Sequence, residues 1–128
     1  MPRLLRTIAV LMGAGFALQG VGWLVVPDRA AAGLGMAVLD GVGRSTQFGD
    51  FAAFFLTAGL TMLVGVRSGH GRLLYVPAGL LGSAAVGRTV AWAFHGAALA
   101  PTFIGVEMAT CLLLLVLARQ DSNARGEA

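Results

Sequence analysis

The sequence has no lysine, a single cysteine and a single tyrosine, and only 12% of its 128 residues are charged. Soluble domains carry about 25% charged residues. A surface built from half that number would expose large apolar patches. Soluble enzyme, nucleic-acid module and disordered tail are therefore poor readings. One cysteine, Cys111, excludes an intramolecular disulfide and a cysteine-based metal cluster. It lies in an apolar run, where a thiol acts as a small hydrophobe. The absence of lysine leaves nine arginines as the basic residues, for a net charge of +3. They are scattered, with no stripe to follow phosphates, so no nucleic-acid partner is expected despite a pI near 10.5. His70 and His95 are far apart, with no carboxylate pair beside either, so neither a metal site nor a cofactor is expected. No serine or cysteine has a base partner for nucleophilic catalysis.

What the chain does contain is apolar length. Hydrophobic residues make up 57% of it. Four stretches, at about 7–26, 47–66, 73–94 and 102–118, come close to the roughly 20 residues needed to cross a bilayer. In lipid they must be helices, because backbone groups find no water there. The expected fold is all-α: one up-down bundle of four transmembrane helices over residues 1–118, then a polar tail over 119–128 that frays from Asp121. Arg3 and Arg6 give the first stretch a basic start, but it continues to Val26 with no A-x-A site, so it reads as a retained helix. The long link 27–46 contains the run 29–36, which is expected to form a short helix in the membrane interface. Arg3, Arg6, Arg67, Arg72, Arg119 and Arg125 fall on one side, and only Arg29 and Arg44 on the other. That bias predicts a multi-pass protein of the cytoplasmic membrane with both termini in the cytoplasm.

Four strongly polar residues interrupt the apolar stretches: Gln19, Asp50, Arg88 and Glu107. At about 1.5 Å per helical residue they lie roughly 10, 5, 9 and 8 Å below the same end of the bundle. Each shares a helix face with further polar or aromatic residues. Trp23 accompanies Gln19; Gln47, Phe54, Thr57 and Thr61 accompany Asp50. Trp92 and His95 accompany Arg88; Phe103, Thr110 and Cys111 accompany Glu107. Trp23 and Trp92 also suit the outer interface. A charged residue at a helix centre costs about 2.5 to 3.5 kcal/mol on insertion scales, so these groups should face inward and pair. Arg88 can engage two carboxylates. The expectation is that it bridges Glu107 and Asp50, with Gln19 filling the remaining hydrogen-bond sites. One guanidinium against two carboxylates leaves −1, which a proton or a cationic ligand would balance. A carboxyl holding that proton could act as an acid.

Gly79-x-x-x-Ser83-x-x-x-Gly87 aligns small residues on one face of the third span, while Gly13, Gly20 and Gly22 thin the first. Small residues let transmembrane backbones approach. The Gly79/Ser83/Gly87 face would pack within the monomer, or meet a second copy or a partner subunit. Pro77, early in the third span, is expected to kink it without breaking it.

The pattern Gly20-x-x-x-Leu24-x-x-Pro27, then Gly33-Leu34-Gly35-Met36, Gly87-Arg88 and Glu107 resembles a family of small bacterial four-helix membrane proteins. That family is known only as a domain of unknown function, distantly DoxX-like. The resemblance covers residues from about 13 to 118. It implies the four-helix fold and brings no activity. It also implies a basic residue near the start of the second helix, where this chain has Asp50.

Three functions follow from these features. The first is binding of a lipophilic small molecule, with Gln19, Trp23, Phe54, Thr57, Trp92, His95 and Phe103 as ligand contacts. On this reading, acid-base chemistry such as isomerisation, epoxide opening or cyclisation would rest on Glu107, Asp50 and Arg88. The second is a structural or accessory membrane subunit whose ion pairs only fix helix register. The third is a small transporter, which ranks last because no charge continues toward the cytoplasmic side and no repeat is visible.

Overall fold

The computed structural model describes residues 2–126. It contains five α-helices: α1 (Pro2–Val25), α2 (Pro27–Gly33), α3 (Gly41–Gly65), α4 (Tyr75–His95) and α5 (Pro101–Gly126). A 3-10 turn at Gly71–Leu74 leads into α4. Four of the helices are long and apolar enough to cross a membrane. Large apolar side chains such as Leu11, Leu18, Val86, Phe94 and Leu112 face outward, as lipid contact requires. The chain is thus an all-α, multi-pass four-helix bundle of the membrane-protein type, with a short fifth helix in its first link.

Local sequence explains most of the helix ends. Pro27 cannot continue α1 but is suited to the first turn of α2. Pro101 opens α5 in the same way. Gly96 adopts a left-handed φ of 69°, and the N–H of Ala97 bonds back to the carbonyl of Ala91 at 3.1 Å, closing α4 on a left-handed glycine. Pro77 falls in the first turn of α4, where it removes no hydrogen bond of that helix. The kink expected there has no cause.

Two helix ends lie beyond the limits of the apolar stretches. α3 begins at Gly41, six residues before the predicted span, because Gln47 folds the link back onto it. The Gln47 side chain accepts the Leu39 N–H at 2.9 Å and donates to the Ala37 carbonyl at 3.0 Å. α5 stays helical to Gly126 instead of ending at Ala118 and fraying from Asp121. Asp121 anchors it: the carboxylate accepts the N–H of Gly69 at 3.0 Å and of Gly71 at 3.1 Å, and pairs with Arg125 at 3.1 Å.

The helices pack as two unequal pairs, α1 on α3 and α4 on α5. Glycine makes the first pair close. A Cβ on Gly59 would collide with the backbone of Ala17 and lie 2.7 Å from the Gly13 carbonyl oxygen. A Cβ on Gly20 would lie 2.6 Å from Leu56. Gly13 and Gly20 therefore act as the sequence predicted, letting the backbones approach. Gly79, Ser83 and Gly87 do not pack within the monomer: all three are exposed, and both glycines face open space.

Two apolar cores divide the bundle lengthwise. The end holding the start of α1, the 66–74 link and the C-terminal half of α5 is the terminal end; the other is the loop end. At the terminal end, Ala9, Met62, Leu74, Leu81, Leu114 and Leu117 form one core drawn from all four long helices. At the loop end, Trp23, Ala30, Ala31, Ala52 and Phe55 form a second core from α1, α2 and α3 alone. Here α4 and α5 stand apart from the rest, leaving a cavity.

Candidate functional site

The cavity measures about 530 Å³, within the range typical of small-molecule sites. Every long helix contributes to it. Phe16 comes from α1; Asp50, Phe51, Phe54 and Phe55 from α3; Leu81, Ala84 and Arg88 from α4. Thr102, Phe103, Val106 and Glu107 come from α5, and Leu34 closes the α2 side. Spacing of three and four along α3 aims its aromatics at one side. Phe55 stacks on Phe16 with ring centroids 5.7 Å apart and meets Phe54 edge-on at 5.1 Å. Leu81 belongs both to the terminal core and to the cavity lining, so that core forms the cavity floor.

One ion pair lies in this apolar wall. Arg88 Nε donates to Glu107 Oε1 at 2.9 Å, joining α4 to α5. The Arg88 guanidinium carbon sits 4.6 Å from the centre of the Phe103 ring, a cation–π contact that covers one face of the charge. Phe103 follows from helical spacing, four residues before Glu107. The Glu107 side chain is only 10% exposed and Arg88 is 32% exposed. Glu107 Oε2 is buried and has no hydrogen-bond partner among the described residues. A carboxylate oxygen out of water and without a donor is costly.

Asp50 shares the cavity lining but not the ion pair. Among the described residues no salt bridge joins it to Arg88. The expected double bridge is therefore reduced to one arm. Arg88 meets Glu107 across the adjacent α4–α5 contact, whereas α3 stands on the far side of the cavity. Gln19 is also placed differently from the expectation. Its Nε2 donates to the Ala30 carbonyl at 2.9 Å and ties α2 to α1. Its acceptor is a backbone carbonyl in the folded-back link, which helical spacing alone does not show.

The remaining predicted contacts divide. Phe54 and Phe103 line the cavity; Trp23, Thr57, Trp92 and His95 do not. Trp23 is fully buried, because Ala30 and Ala31 of α2 fold over it. Its ring stacks on Phe51 at 4.9 Å, and its Nε1 has no partner among the described residues. Trp92 is half-exposed, and Thr57 and His95 are exposed. Phe51 and Phe55 escaped sequence reading, although the run Phe48, Phe51, Phe54, Phe55 carries the spacing that would have found them. Phe16, Leu81, Ala84 and Val106 carry no such mark, since an apolar residue facing a cavity looks like one facing lipid. Among the described residues no cluster of three or more potential metal ligands occurs.

The arrangement can hold an apolar body against aromatic rings while presenting two carboxylates and one guanidinium at a single site. No protein-family model, curated protein or solved structure matches the chain.

Proposed function

We propose that this protein binds a lipophilic small molecule in the cavity between its two helix pairs, with the polar end of that molecule held by Asp50, Arg88 and Glu107. The observation that carries the reading is the 530 Å³ cavity with five phenylalanines and three charged side chains in its lining. A purely structural role accounts for the Arg88–Glu107 bond, which ties α4 to α5. It does not account for the space beside that bond, for the unmet Glu107 Oε2, or for Asp50, which forms no ion pair among the described residues. A conducting role is disfavoured by the terminal core, where Met62, Leu81 and Leu114 are fully buried.

Where the bound molecule is also transformed, the chemistry within reach is proton transfer: isomerisation, epoxide opening or cyclisation. Asp50 is the carboxylate free to exchange a proton, Glu107 is the second, and Arg88 orients the polar atom.

The test uses the full chain in phosphatidylcholine nanodiscs with 1-adamantanol as a neutral lipophilic probe. A ligand that binds only the folded state raises the unfolding temperature with its concentration. Wild type should show that rise. Ala84→Trp, which fills the cavity and leaves the ion pair intact, should abolish it. An equal rise in both proteins, or none in wild type, would overturn the reading.

A further inference from the structure

We propose that the natural ligand is a lipophilic cation: a compact apolar body carrying one protonated amine. This inference rests on the lipophile-binding reading above and specifies the charge of the ligand.

The argument begins with a charge count inside the cavity. Two carboxylates, Asp50 and Glu107, face one guanidinium, Arg88. Arg88 is already committed, since its Nε is bonded to Glu107 and Phe103 covers one face. It forms no ion pair with Asp50. Asp50, an exposed residue at the rim of the cavity, therefore adds an unmatched negative charge to a space walled mostly by phenylalanine and aliphatic side chains. An unmatched charge beside an apolar cavity attracts a ligand charge of opposite sign.

Each class of lipophile meets this site differently. A fatty acid or another anion would bring a second uncompensated negative charge. A neutral alcohol can hydrogen-bond but leaves the charge unmatched. A protonated amine balances Asp50 and supplies up to three hydrogen-bond donors. Phe51, Phe54 and Phe55, close to Asp50 on α3, add ring faces that attract a cation.

The experiment compares three probes of one shape, 1-adamantanamine, 1-adamantanol and 1-adamantanecarboxylate, by thermal shift at neutral pH. The protein is held in nanodiscs of zwitterionic phosphatidylcholine, so that the lipid surface does not select by charge. The amine should bind about tenfold tighter than the alcohol, the difference expected for one hydrogen bond to a charged group. The carboxylate should bind weakest. Asp50→Asn should shrink the amine-to-alcohol ratio to about one, and Asp50→Glu should keep the preference and serve as the check on folding. Equal binding of amine and alcohol to wild type, or an amine preference that survives in Asp50→Asn, would overturn the charge assignment and leave the lipophile reading standing. Failure of all three probes to bind would overturn both.

Discussion

The two ends of the bundle solve the same packing problem in opposite ways. At the terminal end the four long helices converge on Met62, Leu74, Leu81 and Leu114, and Asp121 fastens the 66–74 link to α5. At the loop end only α1, α2 and α3 pack together, while α4 and α5 are held off by a cavity bridged by aromatics. Charges follow the same division. Asp121 is satisfied by two backbone N–H groups and Arg125, as a group with a structural role would be. Glu107 is satisfied at one oxygen only, and the exposed Asp50 forms no ion pair among the described residues. A buried polar group that is fully met explains itself by stability, whereas one left half-met calls for another partner.

The contrast can be broken most directly with packing mutations. Leu114→Ala, at a fully buried site in the terminal core, should cost about 3 kcal/mol in unfolding free energy, measured in detergent or nanodiscs. A cost below about 1 kcal/mol would mean that the terminal end is no better packed than the loop end. Asp121→Ala should cost about 2 kcal/mol, because the N–H groups of Gly69 and Gly71 lose their acceptor. The same variant should speed amide exchange in residues 119–126, which tests whether this carboxylate keeps the end of α5 helical. Phe103→Ala should have the smallest effect, about 1 kcal/mol, since it removes a cation–π contact from a wall that already faces empty space. A loss as large as that for Leu114→Ala would show that the loop end is close-packed after all.

How much of this was legible in the sequence depended on the range of the interaction. The four spans follow from uninterrupted apolar runs, a local property. Arg88 and Glu107 could be paired because each is costly alone in lipid and the alternation of helices puts them at one depth. The separation of Asp50 from Arg88 could not be read, because depth says nothing about which helices are neighbours. α4 packs mainly against α5 and only lightly against α3. Gln19 and Gln47 were readable as polar but not as latches on the first link, since their partners are backbone groups 8 to 11 residues away. Asp121 lay past the last apolar residue and looked like tail. Its role depends on a turn 50 residues earlier in the chain.

Trp23 is wholly enclosed and its indole lies flat against Phe51, whose other surroundings include the chamber between the helix pairs. Trp92, the second tryptophan, is half-exposed on the outer surface. The two emit from unlike environments, so replacing Trp92 by phenylalanine leaves a single buried fluorophore one ring removed from the chamber. The chain thus carries its own spectroscopic gauge of occupancy, with no label to attach.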